Sequence, residues 1–566
     1  MNRNSIEKIY SNDYADFLIN YYGDPAILER YKDDQITIIN YFLAAIYLPT
    51  SEMSSNIVSV LGYSAIPSLF GLCSMSSIEA SGISQIRNIP NFSLTGKGVL
   101  IGIVDTGIDY TNPIFQYADK TTRIVSIWDQ EIISDEVPEG MYYGTEYTRD
   151  QINEALKNEN PFLVVPSHDE IGHGTMVAGI AAGNNVPESG FTGVAPDAEL
   201  VIVKLKPAKT YLKNFFQIPK DAHAYQENDF INGIQYILNY AAKVNKPIVI
   251  CNAVDTSQYA HDGRGTTSMW LSFIASSPGI AVLNCVGNEG NNKRHYFGVI
   301  NEAVGKDTIE LNVGPNENGF AMELWGASPN VYSLDITSPS GEYVPRIYTR
   351  LNETREITFI FEQTIIYLDS QAIESQSGDQ LIFMRFIKPT PGLWKFNIYG
   401  KGLFPMNYNV WLPMNNWITA DTFFLRSDPN ITLLSLSCAR NPITVTAYNV
   451  DDESHYLNAG RGYTRIDVIK PDISAPGVNI LSPTLNNTFV PVTGSSAAVA
   501  HTAGIAAMMF EWGIVKGNYP KMSTQDMKIF MIRGARRKPD IKYPNREWGY
   551  GVVDIYNVFK MLRRGV

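Results

Sequence analysis

The chain has 566 residues, of which 45% are hydrophobic and 18% are charged, and its formal net charge is −12. Single compact domains rarely reach this length, so we expect two or three domains. The composition excludes a largely disordered protein. The acidic balance argues against nucleic acid as a partner, because phosphate binding requires a basic surface.

The start of the chain has the character of a small folded unit. Residues 2–8 lack the apolar core of a signal peptide, and the longest apolar candidate for a span, residues 36–49, is interrupted by Thr37 and Asn40. We therefore expect synthesis in the cytoplasm without a signal peptide and no membrane span. Residues 1–75 mix apolar segments with short polar turns, which suits a small α+β unit.

The next region alternates strand-like and helix-like segments. Apolar runs at 99–104, 198–206, 247–251 and 280–286 predict buried strands, and residues 229–244 carry helical periodicity. This alternation is typical of βαβ units, which form a parallel sheet covered by helices. We therefore predict an α/β domain made of residues 76–292 and 443–566.

A strand-rich region interrupts that domain. Between residues 293 and 442 short alternating segments are separated by turn signals, and the clearest predicted strands are residues 332–336, 356–361, 381–386 and 393–398. Several short strands without helices favour an inserted β-sandwich such as a jelly roll.

The four cysteines are widely spaced and form no C-x-x-C pair. They are Cys73, Cys251, Cys285 and Cys438. This pattern argues against a disulfide framework or a zinc site, so buried free thiols are expected. No metal site is assigned.

The first chemical motif is Asp105-Thr106-Gly107, which follows the apolar run at 99–104. Ligand sites in open α/β sheets lie at the carboxyl ends of strands, so Asp105 is well placed. Aspartic proteases also use Asp-Thr-Gly, but they need two such aspartates that share a proton. The sequence has one, so that alternative requires a dimer.

The second motif places His173 between two glycines at the start of a small-residue helical segment. The glycines allow neighbouring backbone to approach the imidazole closely. A neutral imidazole held by a carboxylate is the usual general base for a serine nucleophile.

The third motif, Gly494-Ser495-Ser496, opens an apolar helix. A serine at a helix start can be a simple N-cap, but it also faces free N–H groups that favour an oxyanion. The order Asp105, His173, Ser496 favours nucleophilic catalysis over the capping role.

Together these motifs resemble the subtilisin family, with Ser495 in place of the usual threonine before the nucleophile. The resemblance implies a serine endopeptidase whose catalytic residues are Asp105, His173 and Ser496. It also implies that Asn288, in the context Gly287-Asn288 after an apolar strand, donates to the oxyanion.

By position, Ala253-Val254-Asp255 matches the family's Ser-Leu-Gly segment, whose backbone pairs with the substrate. These three residues are the predicted substrate-binding residues. Asp255 replaces a glycine, so we expect it either to narrow the groove or favour basic substrates, or to be a solvated loop aspartate.

The inserted region, residues 470–477 and the segment Trp548-Gly549-Tyr550-Gly551 resemble the Csp germination proteases of spore-forming clostridia. This resemblance implies that residues 1–75 are a prodomain and intramolecular chaperone, which the enzyme itself cuts and which can stay bound. It implies an inserted jelly roll, deposition in the spore, and activation of a spore cortex-lytic enzyme precursor by limited proteolysis. We expect the cut within about residues 70–80, beside an exposed connector at 76–82.

Three alternatives stay open at this point. Some Csp members are catalytically silent and act in germinant signalling as sensors or scaffolds, although this chain keeps all three triad residues. The β region could bind carbohydrate, although no aromatic platform supports this. Calcium is possible, with Asp109 or Asp262 as unspecific candidates.

Overall fold

The computed structural model describes residues 3–32, 35–73 and 94–563. Residues 3–73 of this set, here called the N-terminal unit, contain a three-stranded antiparallel sheet of order β1-β3-β2. Its strands and helices are α1 (Arg3–Tyr10), β1 (Tyr14–Asn20), α2 (Pro25–Leu28), β2 (Gln35–Ile38), β3 (Leu43–Pro49) and α3 (Ile57–Leu61). A fourth strand, β4 (Leu69–Leu72), does not belong to this sheet but to a separate three-stranded sheet.

The centre of the protein is an eight-stranded sheet of order β25-β24-β12-β10-β5-β8-β6-β7, in which β7 alone is paired antiparallel. Its first part contributes β5 (Leu100–Asp105), β6 (Ile124–Asp129), β7 (Thr145–Thr148), β8 (Glu199–Lys204), β10 (Ile248–Asn252) and β12 (Ile280–Cys285). Two short strands, β9 (Tyr225–Gln226) and β11 (Val254–Asp255), lie outside it. The helices of this part are α4 (Arg149–Ala155), α5 (His173–Ala182), α6 (Thr210–Phe215), α7 (Glu227–Val244) and α8 (Thr266–Ile274).

Residues 293–442 contain two antiparallel sheets. One has the order β13-β22-β15-β20-β19-β18 and the other β17-β16-β21-β14-β23. Their strands are β13 (His295–Val299), β14 (Lys306–Val313), β15 (Gly319–Gly326), β16 (Val331–Thr337), β17 (Tyr343–Tyr348), β18 (Asn352–Thr358), β19 (Ile365–Gln371), β20 (Gln380–Ile387), β21 (Gly392–Lys401), β22 (Asn407–Trp411) and β23 (Phe423–Phe424).

The two sheets share one hydrophobic core, to which Leu324 and Met384 of the first and Leu334 and Phe396 of the second belong. Alternating apolar side chains on strands of this length form such a two-layer arrangement. The predicted strand at 356–361 ends earlier than expected, at Thr358, and the side chain of Phe361 is exposed.

The remaining chain completes the central sheet with β24 (Ile443–Tyr448) and β25 (Ile473–Pro476). It then forms a hairpin of β26 (Ile480–Pro483) and β27 (Phe489–Val492), followed by α9 (Ser495–Phe510), α10 (Thr524–Gly534) and α11 (Ile555–Arg563). All sixteen residues of α9 are buried, which explains its all-round apolar sequence. Among the described residues one helix, Ser495–Val515, is long and apolar enough for a membrane span, and 83% of its apolar window is buried inside the protein.

The N-terminal unit contacts both other parts of the protein. Lys209 of the α/β part donates from Nζ to Asp16 over 2.5 Å, and this pair is buried. On the insertion, the Tyr63 hydroxyl donates to Glu323 over 2.5 Å. The N-terminal unit therefore rests on the α/β part and the insertion together.

Candidate active site

Asp105 and His173 meet at the carboxyl end of the central strands. Asp105 is the last residue of β5, and His173 is the first residue of α5. His173 Nδ1 lies 2.8 Å and 2.9 Å from the two carboxylate oxygens of Asp105, and both side chains are buried. The carboxylate therefore fixes the imidazole with a proton on Nδ1 and leaves Nε2 free to act.

The start of α5 is held close to the loop after Asp105. A Cβ atom at Gly174 would lie 2.1 Å from the Gly107 carbonyl oxygen, so only glycine allows this approach. The Gly174 N–H donates to Thr106 Oγ1 over 2.9 Å. The Asp169 carboxylate accepts from the N–H of Gly172 over 2.7 Å and, in the first turn of α5, from the N–H of Thr175 over 2.9 Å. Backbone contacts therefore set the position of the imidazole.

Ser496 lies in the first turn of α9, and its Oγ is 3.0 Å from His173 Nε2. Burial by itself lowers the pKa of His173. The Asp105 charge and hydrogen bond, together with the Cys73 carbonyl, outweigh burial and raise the pKa above its ordinary value. The structure thus brings together the three predicted catalytic residues in the geometry of a nucleophile, a base and an orienting carboxylate.

Asn288 lies after β12, beside the nucleophile. Its Oδ1 accepts a hydrogen bond of 3.1 Å from the Ser495 N–H. Because a backbone N–H can only donate, this bond fixes the orientation of the amide and leaves Nδ2 as a donor. Asn292 Nδ2 donates to the Asn288 carbonyl over 2.9 Å and steadies this loop.

The strand β4 of the N-terminal unit fills the groove beside these residues. It pairs antiparallel with β11 on one side and with β9 on the other. The Cys73 N–H donates to the Ala253 carbonyl over 3.2 Å. The Cys73 carbonyl oxygen lies 2.9 Å from His173 Nε2. An extended peptide is thus laid between two strand edges with its last described residue at the triad.

Two side chains of this segment enter buried sites. Phe70 stacks on Phe230 with ring centroids 4.8 Å apart. Cys73 is buried beside Cys285, whose hydrogen-bonded thiol, together with burial, raises the pKa of Cys73 well above its ordinary value. The enclosed surroundings of Cys73, with the Asp255 and Glu289 carboxyl groups also raising its pKa, suit a small side chain without negative charge.

The subtilase family model (Peptidase S8) matches residues 96–309 and 412–551 of the chain, which is more than half of its length. The chain belongs to the subtilase family. The unmatched residues 310–411 lie within the two antiparallel sheets of the insertion.

Two curated proteins are similar to this subtilase. It is similar to the C5a peptidase of Streptococcus pyogenes, with 22% identity over 83% of this chain and 40% of that protein. It is also similar to the PIII-type proteinase of Lactococcus lactis, with 22% identity over 84% of this chain and 26% of that protein. The chain thus spans less than half the length of these curated relatives.

Among solved structures, the CspB protease of Clostridium perfringens is similar, with 28% identity and a TM-score of 0.76 over 86% of this chain and 97% of that one. The solved structure titled Sphericase is 16% identical, with a TM-score of 0.41.

Asp255 of this subtilase is not the solvated loop aspartate that was one of the two expectations, because its side chain is 1% exposed. Its charge contributes to the raised pKa of Cys73 in the groove, and a narrower groove or a preference for basic substrates stays a prediction. Asp255 accepts hydrogen bonds from the N–H groups of Thr256, Leu436 and Ser437 and from the Ser437 hydroxyl. Burial raises the pKa of Asp255 to about 7. Its backbone pairs with Gly71, as predicted for this segment, whereas its side chain anchors the chain that leads into β24.

The other predicted sites are simpler. All four cysteines are buried and free. Asp109 accepts from Thr111, and Asp262 forms an ion pair with Arg465 at 3.3 Å. In the part of the chain that the structure describes, no group of three or more His, Cys, Asp or Glu residues could hold a metal ion.

Sequence reasoning missed the residues that bind the backbone at the start of β4. Glu227 accepts from the Ser68 N–H over 2.9 Å, and Gln258 accepts from the Leu69 N–H over 2.9 Å. Neither residue lies in a catalytic motif, and one sequence offers no signal for the pairing of β9 with β4. The predicted cut within residues 70–80 falls partly, and the predicted connector at 76–82 wholly, on residues outside the described ranges.

Proposed function

We propose that this subtilase is a serine endopeptidase that cuts its own chain after Cys73 and keeps the N-terminal segment in the groove. The observation that carries this proposal is the position of the Cys73 carbonyl, 2.9 Å from the catalytic base. Residues 1–75 then act as a prodomain and intramolecular chaperone, and residues 293–442 form a jelly-roll domain that supports it.

Each step of the cut uses a described residue. Ser496 Oγ attacks the Cys73 carbonyl carbon while His173 Nε2 takes its proton and Asp105 holds the imidazolium. Asn288 Nδ2 and the Ser496 N–H stabilise the oxyanion. His173 then protonates the leaving amine of Ser74, and water releases Cys73 as a carboxylate. Holding the bond within the same chain supplies a high effective concentration.

Retention of the cut segment is supported by its two flanking strands and by a buried polar cluster. The Asp16 carboxylate receives Lys209 Nζ over 2.5 Å, Gln226 Nε2 over 2.9 Å and Asn228 Nδ2 over 3.1 Å. Removing one residue of a buried, hydrogen-bonded ion pair destabilises the protein, because the other charge is left buried without a partner. The N-terminal unit therefore remains an inhibitor after the cut.

The substrate in trans is proposed from the family resemblance. The similarity to the CspB protease supports a germination protease. We propose a spore cortex-lytic enzyme precursor as the substrate and the spore as the location, with activation by limited proteolysis once the groove is cleared.

A second candidate function is a catalytically silent sensor or scaffold. The observation that favours it is the filled groove, because β4 occupies both strand edges and excludes other peptides. This candidate predicts that Ser496 never reacts.

The test compares wild-type protein, Ser496→Ala and Ser495→Ala on a denaturing gel, with a fluorophosphonate probe applied to each. We expect wild-type protein to give a short fragment and a large remainder, and Ser496→Ala to give one uncut, unlabelled chain. Ser495→Ala is the matched control, because Ser495 Oγ is buried and has no hydrogen-bond partner among the described residues. Uncut wild-type protein without labelling would contradict the endopeptidase proposal and favour the silent one.

A further inference from the structure

Two side chains of the insertion's return segment cover the bound peptide. Met414 and Trp417 follow β22, and both are nearly fully buried, at 4% and 2% exposure. They lie against Gly71, the third residue before the proposed cut. Here these two residues are called the lid.

The lid leaves no space for a side chain at position 71. A Cβ atom built on Gly71 would lie 2.8 Å from Met414 Sδ, 3.1 Å from Met414 Cε and 3.0 Å from Trp417 Cζ2. Carbon contacts in packed interiors are about 3.5–4.0 Å, so a side chain at position 71 requires the flexible end of Met414 to shift and the Trp417 ring to give by a few tenths of an ångström.

The lid is attached to the walls on both sides of the groove. Trp417 Nε1 donates to the His223 carbonyl over 3.4 Å. Between the two lid residues, the Asn415 N–H donates to Glu289 over 3.0 Å, and Glu289 directly follows Asn288. Displacing the lid therefore disturbs a loop next to the oxyanion donor.

The neighbouring position is different. Leu72, the second residue before the proposed cut, is half-buried and pairs through its backbone with Val254. The restriction at Gly71 thus arises from the insertion, not from the groove of the α/β part.

We propose that Met414 and Trp417 determine substrate specificity by favouring glycine at the third residue before the cleaved bond. This inference rests on the proposed self-cleavage after Cys73. It assigns the natural substrate to proteins whose cleavage loop carries a glycine two residues before the residue that supplies the cleaved carbonyl.

The experiment follows cleavage of the full chain during cell-free synthesis. Gly71→Ala should slow cleavage about 10-fold and Gly71→Leu more than about 100-fold, as overpacking of a filled site implies. Val60→Ala, at an exposed position of α3 in the same unit, is the control and should be cleaved within about threefold of the wild-type rate. Adding Met414→Ala to Gly71→Leu should raise the cleavage rate at least about 10-fold above that of Gly71→Leu alone, because it vacates a comparable volume.

Folding is checked by the thermal unfolding midpoint of each variant combined with Ser496→Ala. If Gly71→Leu lowers that midpoint, the cleavage rate of Gly71→Ala decides instead. Adding Met414→Ala should then restore the rate of Gly71→Ala. Cleavage of folded Gly71→Leu at the wild-type rate, or no rescue by Met414→Ala, would overturn the lid proposal and leave the endopeptidase intact. Uncut wild-type protein would overturn both.

Discussion

The Cys73 carbonyl oxygen lies 2.9 Å from Nε2 of His173. The same nitrogen lies 3.0 Å from Ser496 Oγ, so it contacts both a carbonyl oxygen that accepts a hydrogen bond and a hydroxyl that donates one. A neutral imidazole accepts the serine proton, whereas an imidazolium donates to the carbonyl or to the carboxylate formed after the cut. The bound segment therefore favours the protonated form of the base once the product has formed.

This relationship predicts the pH dependence of self-cleavage. The pKa of His173 lies above its ordinary value, so a larger fraction of His173 is protonated and inactive near neutral pH. The rate of cleavage in cell-free synthesis should rise with pH through an apparent pKa above about 6.5. A rate that is flat between pH 6 and 9, or that falls, would contradict the role of His173 as the base.

The same shift predicts a stability effect. Because the folded-state pKa of His173 exceeds its unfolded value, protonation favours the folded protein below about pH 6.5, and this contribution is lost as the pH rises through the folded pKa. In the Ser496→Ala background, His173→Gln should remove that part of the pH dependence of thermal unfolding. An unchanged pH profile would argue against the shift.

The cleavage position itself is testable. N-terminal sequencing of the large fragment should begin at Ser74. Cys73 is 1% exposed, so Cys73→Phe should slow the cut strongly, while Cys73→Ala should be cut at a comparable rate. A large fragment that begins at another residue, or a Cys73→Phe protein cut at the wild-type rate, would contradict cleavage after Cys73.

Removing the side-chain donor to the oxyanion should leave the fold intact and reduce the rate. Asn288→Leu keeps the shape but loses Nδ2 together with Oδ1, which accepts from the Ser495 N–H. Loss of the donor costs roughly 10²–10³-fold in turnover in subtilisin. The rate of self-cleavage is the readout, and the exposed Asn316→Leu is the control. If Asn288→Leu is cut as fast as the control, the oxyanion is held by other groups.

Asp255 should matter for stability. Asp255→Ala leaves the buried N–H groups of Leu436 and Ser437 without an acceptor, which should cost about 1–3 kcal/mol of unfolding free energy. Denaturant unfolding in the Ser496→Ala background measures this loss. The exposed Asp540→Ala is the control and should change little. Equal stability of the two variants would show that the Asp255 network is not structural.

Retention of the cut segment should depend on the buried pair of Lys209 and Asp16. Lys209→Met removes one partner and strands the other carboxylate, so the fragment should leave the large remainder on a size-exclusion column. Lys243→Met, which breaks an exposed pair with Glu139, is the control. Co-elution of the fragment in both variants would assign retention to the strand pairing alone.

The three predicted catalytic residues stand out in the sequence because each lies in a short motif at the end of a strand or the start of a helix. The central strands could also be predicted, because continuous apolar runs such as the one ending at Asp105 are typical of buried strands. The hydrogen bonds of Asp255 could not be predicted, because its partners Leu436 and Ser437 lie 181 and 182 residues later in the chain, near the end of the insertion. Nor could the lid, since Gly71 and Met414 carry no periodic or chemical signal.

The contact between Tyr63 and Glu323 also bears on the order of events during synthesis. The hydroxyl of an early residue is satisfied by a carboxylate that is made about 260 residues later, and Ser496 follows later still. A ribosome-bound chain can therefore seat its N-terminal unit on the insertion before it possesses a nucleophile. If the N-terminal unit is the proposed prodomain, the groove is therefore filled before the chain can first become active.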